Sequence, residues 1–149
     1  MGHTGQMSSL EFIKSESARL SPWAHVATIG ADGLPDVVPV HPAWDGDTLW
    51  FMTFGDSVKA RNLAANPNVA VHWQVDESGD GVELWGTAKV YDDVETKRRL
   101  WTGVFDYDLS AFSPGGPDDS PNAVFVAVEP SRAVALKMYG VGGREAWSA

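Results

Sequence analysis

Cysteine is missing from all 149 positions of the sequence. Disulfide bridges, thiolate catalysis and cysteine-ligated iron–sulfur clusters are therefore excluded. The sequence also has no apolar run near the roughly 20 residues that a membrane-spanning helix needs. Residues 1–10 have neither the basic start nor the apolar stretch of a secretory signal. We therefore expect a cytoplasmic protein that does not interact with a membrane.

Basic residues are few. Eleven Lys and Arg stand against 20 Asp and Glu, which gives a formal net charge of −9. Nucleic-acid binding depends on many Lys and Arg contacts with phosphate, so this balance disfavours it. Binding of a small phosphorylated ligand is still compatible with this negative charge, because a local group of hydrogen-bond donors can outweigh the overall charge. The four histidines, at positions 3, 25, 41 and 72, show no metal-ligand spacing, so we expect no metal site.

The chain has no internal repeat, low-complexity tract or long linker, which predicts a single domain over residues 1–149. Within it we expect a helix and lead-in over 1–22, a barrel core over 23–91, a helix and loop over 92–121, and final strands and a tail over 122–149.

Strand and helix patterns follow one another along this domain. Seven segments between turn residues are typical of strands, over residues 23–29, 36–44, 48–54, 68–75, 82–91, 122–129 and 133–138. Helical spacing predicts three helices, over residues 9–20, 58–65 and 92–104. Tight turns join the first three strands, which predicts an antiparallel meander. Pro39 and Pro42 in the second strand require an edge, a bulge or a bend. The whole suits a mainly β barrel with attached helices.

The segment around Ser57 carries the clearest chemical pattern. A predicted strand ends near Thr53, Gly55 lies in the loop, and a predicted helix begins at Ser57. Free backbone N–H groups and the helix dipole favour an anion at such a start. The hydroxyls of Thr53 and Ser57, the ammonium of Lys59 and the guanidinium of Arg61 add further donors. A phosphate site is one interpretation, and a capped surface helix with solvated basic side chains is the other.

Longer stretches around this segment resemble a known family. The runs LWFMT (49–53) and SVKARNLAANPNVAV (57–71) are similar to the signature of the pyridoxamine 5′-phosphate oxidase-like FMN-binding split-barrel superfamily, above all its general-stress-protein and F420-dependent branches. The hairpin over 26–40 and the stretch ELWGTA (83–88) fit the same pattern, so the resemblance covers residues 24–91. It implies a six- to seven-stranded antiparallel split β-barrel of Greek-key type.

The resemblance also implies a cofactor site between the two subunits of a homodimer. The residues implied to hold the cofactor phosphate are Thr53, Ser57 and Lys59, with Arg61 nearby and Val58 where the oxidases commonly have an arginine. The backbone of Val38, Pro39, Val40 and His41 is implied to line the edge of the isoalloxazine ring, and Met52 is implied to lie under the ring. Those that could close the site from the partner subunit are Trp73, Gln74 and Trp85.

The implied function is that of an FMN-dependent oxidoreductase with a small-molecule substrate, and the residues point to no particular catalytic acid or base. Residues 139–147 lack the basic substrate-binding residues of the oxidases, so vitamin B6 oxidase activity is not expected. Three alternatives stay open: an F420-dependent reductase on the same fold, a non-catalytic flavin-binding stress or sensor protein, and a barrel-shaped interaction module without cofactor. We expect residues 105–121 to shape the substrate entrance, and Trp147 predicts a tail that docks over the cofactor.

Overall fold

Strands make up most of the regular structure. The computed structural model describes residues 6–7 and 9–149. The strands in this part of the chain are β1 (Gln6–Met7), β2 (Ala24–Ile29), β3 (Pro35–Val40), β4 (Ala43–Asp45), β5 (Thr48–Phe54), β6 (Asn68–Trp73), β7 (Gly81–Tyr91), β8 (Ala123–Lys137) and β9 (Gly143–Ser148). The α-helices are α1 (Leu10–Leu20), α2 (Val58–Ala65) and α3 (Val94–Trp101).

All the strands belong to one sheet, ordered β1-β9-β8-β7-β6-β2-β3, with β5 paired to β8 and β4 to β5. Every pair is antiparallel except β1 with β9. The long strand β8 pairs with β7 along one edge, and its other edge is shared between β5 and β9. The sheet does not close, because β3 pairs only with β2 among the described residues. The predicted mainly β split-barrel fold is confirmed, with more strands than the six or seven expected.

The predicted meander is confirmed at both of its tight turns, but its second strand is broken in two. β2 pairs with β3, and β4 pairs with β5 across the turn at residues 45–47, while the other partner of β5 is β8 and not β3. The prolines give the physical reason, because neither can donate an N–H to a neighbouring strand. Pro39 lies in the edge strand β3, and Pro42 lies in the break between β3 and β4. The chain therefore leaves the sheet edge here and crosses to β8.

The two predicted final strands are one bent strand. β8 continues through Pro130 and Ser131, and its register with β7 shifts between Trp85 and Gly86. Gly86 is required at this bulge, because a side chain there would collide with the Glu129 carbonyl. Beyond β8 the tail forms β9, a strand that the pattern did not predict.

The helices follow the predicted positions closely. Ser9 caps α1 by accepting a hydrogen bond from the Phe12 N–H at 3.1 Å, and α2 has the predicted bounds. α3 begins after its cap Asp93, as predicted, but ends at Trp101, short of residue 104. Gly103 explains this, because its φ of 86° is left-handed. None of the helices in the described ranges is long and apolar enough to span a membrane.

Two apolar clusters lie on the two faces of β8. Val126 and Val128 belong to the larger cluster, which fills the barrel together with Ile13 of α1. Phe125 and Ala127 belong to the smaller cluster, which packs α3 and the residues after it against β5 and β8. The alternation of side chains along a strand produces this division. The second cluster holds residues 102–112 beside the end of β5.

Candidate functional site

A cleft of about 310 Å³ opens where β3 and β5 end and α2 begins, and we call it the β5–α2 cleft. The residues that line it are Trp23, Pro39, Val40, His41, Met52, Thr53, Phe54, Lys59, Tyr107 and Phe112. Hydroxyl and ammonium groups gather at the end next to α2, and aromatic rings form the opposite wall. A cleft with apolar walls and a few grouped polar atoms is the usual form of a small-molecule site.

The polar end is built by the start of α2. Ser57 is the N-cap, and its hydroxyl accepts a hydrogen bond from the Ala60 N–H at 3.2 Å. Thr53, almost fully buried near the end of β5, places its Oγ1 3.2 Å from Ser57 Oγ. Two hydroxyls therefore meet at a helix start, where free N–H groups and the helix dipole attract anions.

Lys59 adds a positive charge to this end. Its side chain is half-buried, and no carboxylate of the described residues lies within 4.0 Å of its ammonium. Burial lowers the pKa of Lys59, and the nearby charge of Asp36 opposes that shift. A partly desolvated ammonium without an ion pair is costly, so the cleft favours an anionic ligand at this point.

The opposite wall is a stack of aromatic rings. The rings of His41 and Tyr107 lie 4.2 Å apart and 22° from parallel. Trp23 meets His41 edge-on at 6.3 Å, and Phe112 meets Tyr107 edge-on at 5.7 Å. Burial, with a smaller contribution from Asp106, raises the pKa of Tyr107 to about 12. The phenol is therefore protonated near neutral pH and can donate a hydrogen bond.

The His41 ring is held against the segment after α3. Its buried Nε2 lies 2.7 Å from Asp106 Oδ1, so that carboxylate occupies the position next to this nitrogen. His41 therefore contributes to the lining of the cleft through its ring.

The structure brings together about half of the residues predicted to hold a cofactor. Those that line the cleft are Pro39, Val40, His41, Met52, Thr53 and Lys59, and Ser57 adjoins it through Thr53. The Val38 side chain packs on the barrel core, which does not bear on the role implied for its backbone, and Val58 is half-exposed outside the lining. Arg61 donates to the Asp56 carbonyl at 2.8 Å, which directs it to the loop before α2.

The three residues predicted to act from a partner subunit lie outside the cleft. Trp73 is 2% exposed and stacks on Trp44 within the core of its own chain. The register of β6 turns its side chain inward. Gln74 is exposed, and Trp85 lies half-exposed on the outer face of β7.

Four lining residues were not predicted as cofactor contacts: Trp23, Phe54, Tyr107 and Phe112. Tyr107 and Phe112 belong to the segment expected to shape the entrance. The sequence signal for these two residues is the presence of large aromatic side chains in a stretch rich in Pro, Gly and Asp. Such rings are stabilised when they pack against another surface of the protein or a ligand. Trp23 and Phe54 stand at strand ends and offered no comparable signal.

The tail docks on the sheet, as predicted, but elsewhere. β9 pairs with residues 132–137 of β8, and Trp147 packs against the larger core cluster. The lining of the β5–α2 cleft includes no residue of β9. The prediction that the tail covers the cofactor entrance is therefore wrong within this chain.

Sequence comparison gives one family and one curated relative. The family described as pyridoxamine 5′-phosphate oxidase matches residues 14–136. General stress protein 26 of Bacillus subtilis is 33% identical over 89 residues, which cover 58% of this chain and 59% of that protein. The match therefore spans less than two thirds of the relative's length.

Solved structures share the fold. A protein of the pyridoxinephosphate oxidase family from Clostridium acetobutylicum, related to general stress protein 26, has a TM-score of 0.77 at 19% identity, over 95% of this chain and 96% of that one. A pyridoxamine 5′-phosphate oxidase-related, FMN binding protein from Nostoc punctiforme has a TM-score of 0.63 at 15% identity, over 92% and 85%. An F420 reductase has a TM-score of 0.60 at 28% identity, over 79% and 94%.

Proposed function

This chain belongs to the pyridoxamine 5′-phosphate oxidase family, and on that basis we propose that it is an oxidoreductase that binds FMN in the β5–α2 cleft. One cleft contains both an anion-binding end and a flat apolar wall, and this observation carries the proposal. FMN has the matching parts, a phosphate at one end of a polyol chain and a planar ring at the other.

The donor set fits this ligand. Thr53, Ser57 and Lys59 would hold the phosphate, because they combine two hydroxyls, a helix start and an unpaired ammonium. Met52, Val40 and Pro39 would face the ring. The His41 ring, whose Nε2 lies beside the Asp106 carboxylate, would add to the wall that faces the flavin.

A bound flavin would supply hydride or electron transfer. The chain's own residues would bind the phosphate, orient the ring and exclude water from it. Tyr107 keeps its proton near neutral pH, so its phenol can donate a hydrogen bond to a substrate oxygen. The aromatic wall of Tyr107 and Phe112 would favour a flat substrate over a bulky one.

We propose a homodimer that uses the outer face of the sheet. Apolar side chains form a row across four neighbouring strands, through Trp85, Ala70, Ala27 and Val37. Val37 is 61% exposed, and the other three are half-exposed. A continuous apolar row on an open sheet face favours a protein partner. Such a dimer would bring the partner's Trp85 or Gln74 toward the cofactor.

The second candidate cofactor is the deazaflavin F420. The F420 reductase at 28% identity supports it, since its match covers 79% of this chain. The anion-binding end has one unpaired ammonium, which also suits the single charge of a phosphodiester.

Spectroscopy and titration test the proposal. Protein purified with its cofactor should be yellow and show the absorbance bands of oxidised flavin. Protein without cofactor should bind added FMN with quenching of tryptophan fluorescence, and reduction by NAD(P)H would support turnover. Tighter binding of F420 would favour the second candidate, and binding of neither would overturn the proposal.

A further inference from the structure

A second depression, of about 180 Å³, lies over β8 and β9, and we call it the β8–β9 pocket. It shares no lining residue with the β5–α2 cleft. Arg132 and Arg144 line it, and no Asp or Glu of the described residues does. Since its charged lining groups are two guanidiniums, the pocket attracts anions even though the chain has a net charge of −9.

Strand register places the two arginines at opposite ends of this pocket. Arg144 of β9 lies opposite the β8 position that follows Arg132 by four residues. At about 3.4 Å per residue, the two backbone positions are about 14 Å apart along the strands. Val134 and Ala146 lie opposite each other midway between these positions, and both line the pocket. The arginines therefore border a small apolar floor on two sides.

An aromatic ring holds the Arg132 side chain in place. The guanidinium carbon lies over the Trp85 ring, 3.8 Å from its centre. A contact this short packs the guanidinium on the ring face and leaves its N–H donors free around the edge. Trp85 lines the pocket and also ends the apolar row of the proposed dimer. Arg132 is therefore positioned in advance to donate two parallel hydrogen bonds to a carboxylate.

Neither guanidinium has a carboxylate partner in the part of the chain that the structure describes. No carboxylate oxygen there lies within 4.0 Å of Arg132 or Arg144, whereas Arg99 lies 2.7 Å from one. Glu83 stands beside Val134 on β7, but it lines a different depression, over β2 and β6. Two like charges around one pocket repel each other, and an anion bound between them would relieve that repulsion.

We propose that the β8–β9 pocket binds a small dicarboxylate, with one carboxylate on Arg132 and the other on Arg144. The spacer between the carboxylates lies on the floor of Val134 and Ala146. The exposed Ser148, opposite Arg132 on β9, also lines the pocket and can donate its hydroxyl to the same carboxylate as Arg132. This site needs neither the flavin nor the β5–α2 cleft.

The test is a titration with three probes that differ in charge: glutarate with two carboxylates, butyrate with one, and glutaramide with none. The indole N–H signal of Trp85 in proton–nitrogen correlation spectra, assigned by its loss in Trp85→Phe, reports binding at this pocket. Glutarate should shift the signal saturably. Butyrate should bind about tenfold or more weakly, because it loses one set of charge-assisted hydrogen bonds, and glutaramide should leave the signal unchanged.

Three variants locate the binding. Arg132→Gln and Arg144→Gln should each weaken glutarate about tenfold or more and bring its affinity close to that of butyrate. Lys89→Gln is the matched control, because it removes an exposed cation that lies over Tyr91 and does not line the pocket. This variant should bind glutarate like the wild type, and thermal unfolding shows whether each variant is folded.

The inference is overturned if glutarate causes no saturable shift, or if glutaramide binds as tightly as glutarate. An equal loss in Lys89→Gln and the arginine variants would also overturn it, because overall charge alone would then explain the binding. Loss of glutarate binding in Lys59→Ala would place the probe in the β5–α2 cleft instead. FMN binding is measured separately, so a failure here leaves the proposed function standing.

Discussion

The hydroxyls of Thr53 and Ser57 lie 3.2 Å apart, although one belongs to a strand and the other caps the next helix. This contact joins β5 to the start of α2, and the loop between them, with Gly55, keeps the two side chains on the same side of the turn. The Ser57 hydroxyl is thereby shared between the cap of α2 and the cleft. An anion placed against Thr53 meets the helix N-terminus as well.

Replacing Ser57 by alanine should have two separable effects. Loss of the cap should lower the free energy of unfolding by about 1 kcal/mol. Loss of the hydroxyl should also weaken FMN binding. Ser9→Ala is the matched control, since Ser9 caps α1 in the same way away from the cleft. Denaturant unfolding and FMN titration should show a similar stability loss in both variants but weaker binding only in Ser57→Ala; equal FMN affinity in the two would argue against the site.

The depressed pKa of Lys59 predicts a pH dependence of stability. Between the folded pKa and the ordinary value of 10.5, the unfolded chain holds a proton that the folded chain has lost. The contribution of Lys59 to the free energy of unfolding therefore rises with pH across that window. Denaturant unfolding of wild type and Lys59→Met, at several pH values up to 10.5, measures the difference. A difference that stays flat or falls with pH would contradict the assigned environment.

The apolar row predicts a dimer that one charge can break. Ala27→Arg places a guanidinium in the middle of the row, between Ala70 and Val37, so the variant should sediment as a monomer where the wild type sediments as a dimer. FMN binding should weaken in parallel if the partner subunit closes the site. Ala65→Arg, at the exposed end of α2, is the control and should stay dimeric. A wild type that sediments as a monomer would rule out the assembly.

The bulge at Gly86 predicts that a side chain at this position lowers the free energy of unfolding. Gly86→Ala drives a methyl group into the Glu129 carbonyl and should destabilise the fold by about 1–3 kcal/mol. Gly81→Ala, in the same strand, meets only the His72 ring at 3.4 Å and should cost less. Unfolding free energies of the two variants give the comparison, and equal values would show that the bulge does not require glycine.

Local signals account for what the sequence predicted well. Ser57 and the Asn66-Pro67 pair mark the two ends of α2, and both act through the backbone of neighbouring residues. The pairing of strands that lie far apart in the sequence has no such local signal. β5 finds β8 about 75 positions later in the sequence, and this pairing, not the turn before β5, decides the strand order.

The candidate site likewise has residues that local sequence signals predicted and residues that depend on distant strand pairing and packing. Thr53, Ser57 and Lys59 fall within seven consecutive residues, so their pattern was visible in the sequence. Tyr107 reaches His41 only because the smaller core cluster holds the segment after α3 against β5 and β8. Trp73 faces the core because of the β6 register, which its neighbours in sequence do not reveal.

The most direct test of the central claim is the FMN dissociation constant of Lys59→Ala, measured beside that of Arg61→Ala. Arg61 is a neighbouring cation that the Asp56 carbonyl holds away from the cleft, so it controls for the loss of one positive charge. Lys59→Ala should raise the dissociation constant about 10- to 100-fold, with riboflavin affinity unchanged, while Arg61→Ala binds FMN like the wild type. Unchanged FMN binding in Lys59→Ala, or an equal loss in both variants, would contradict the account.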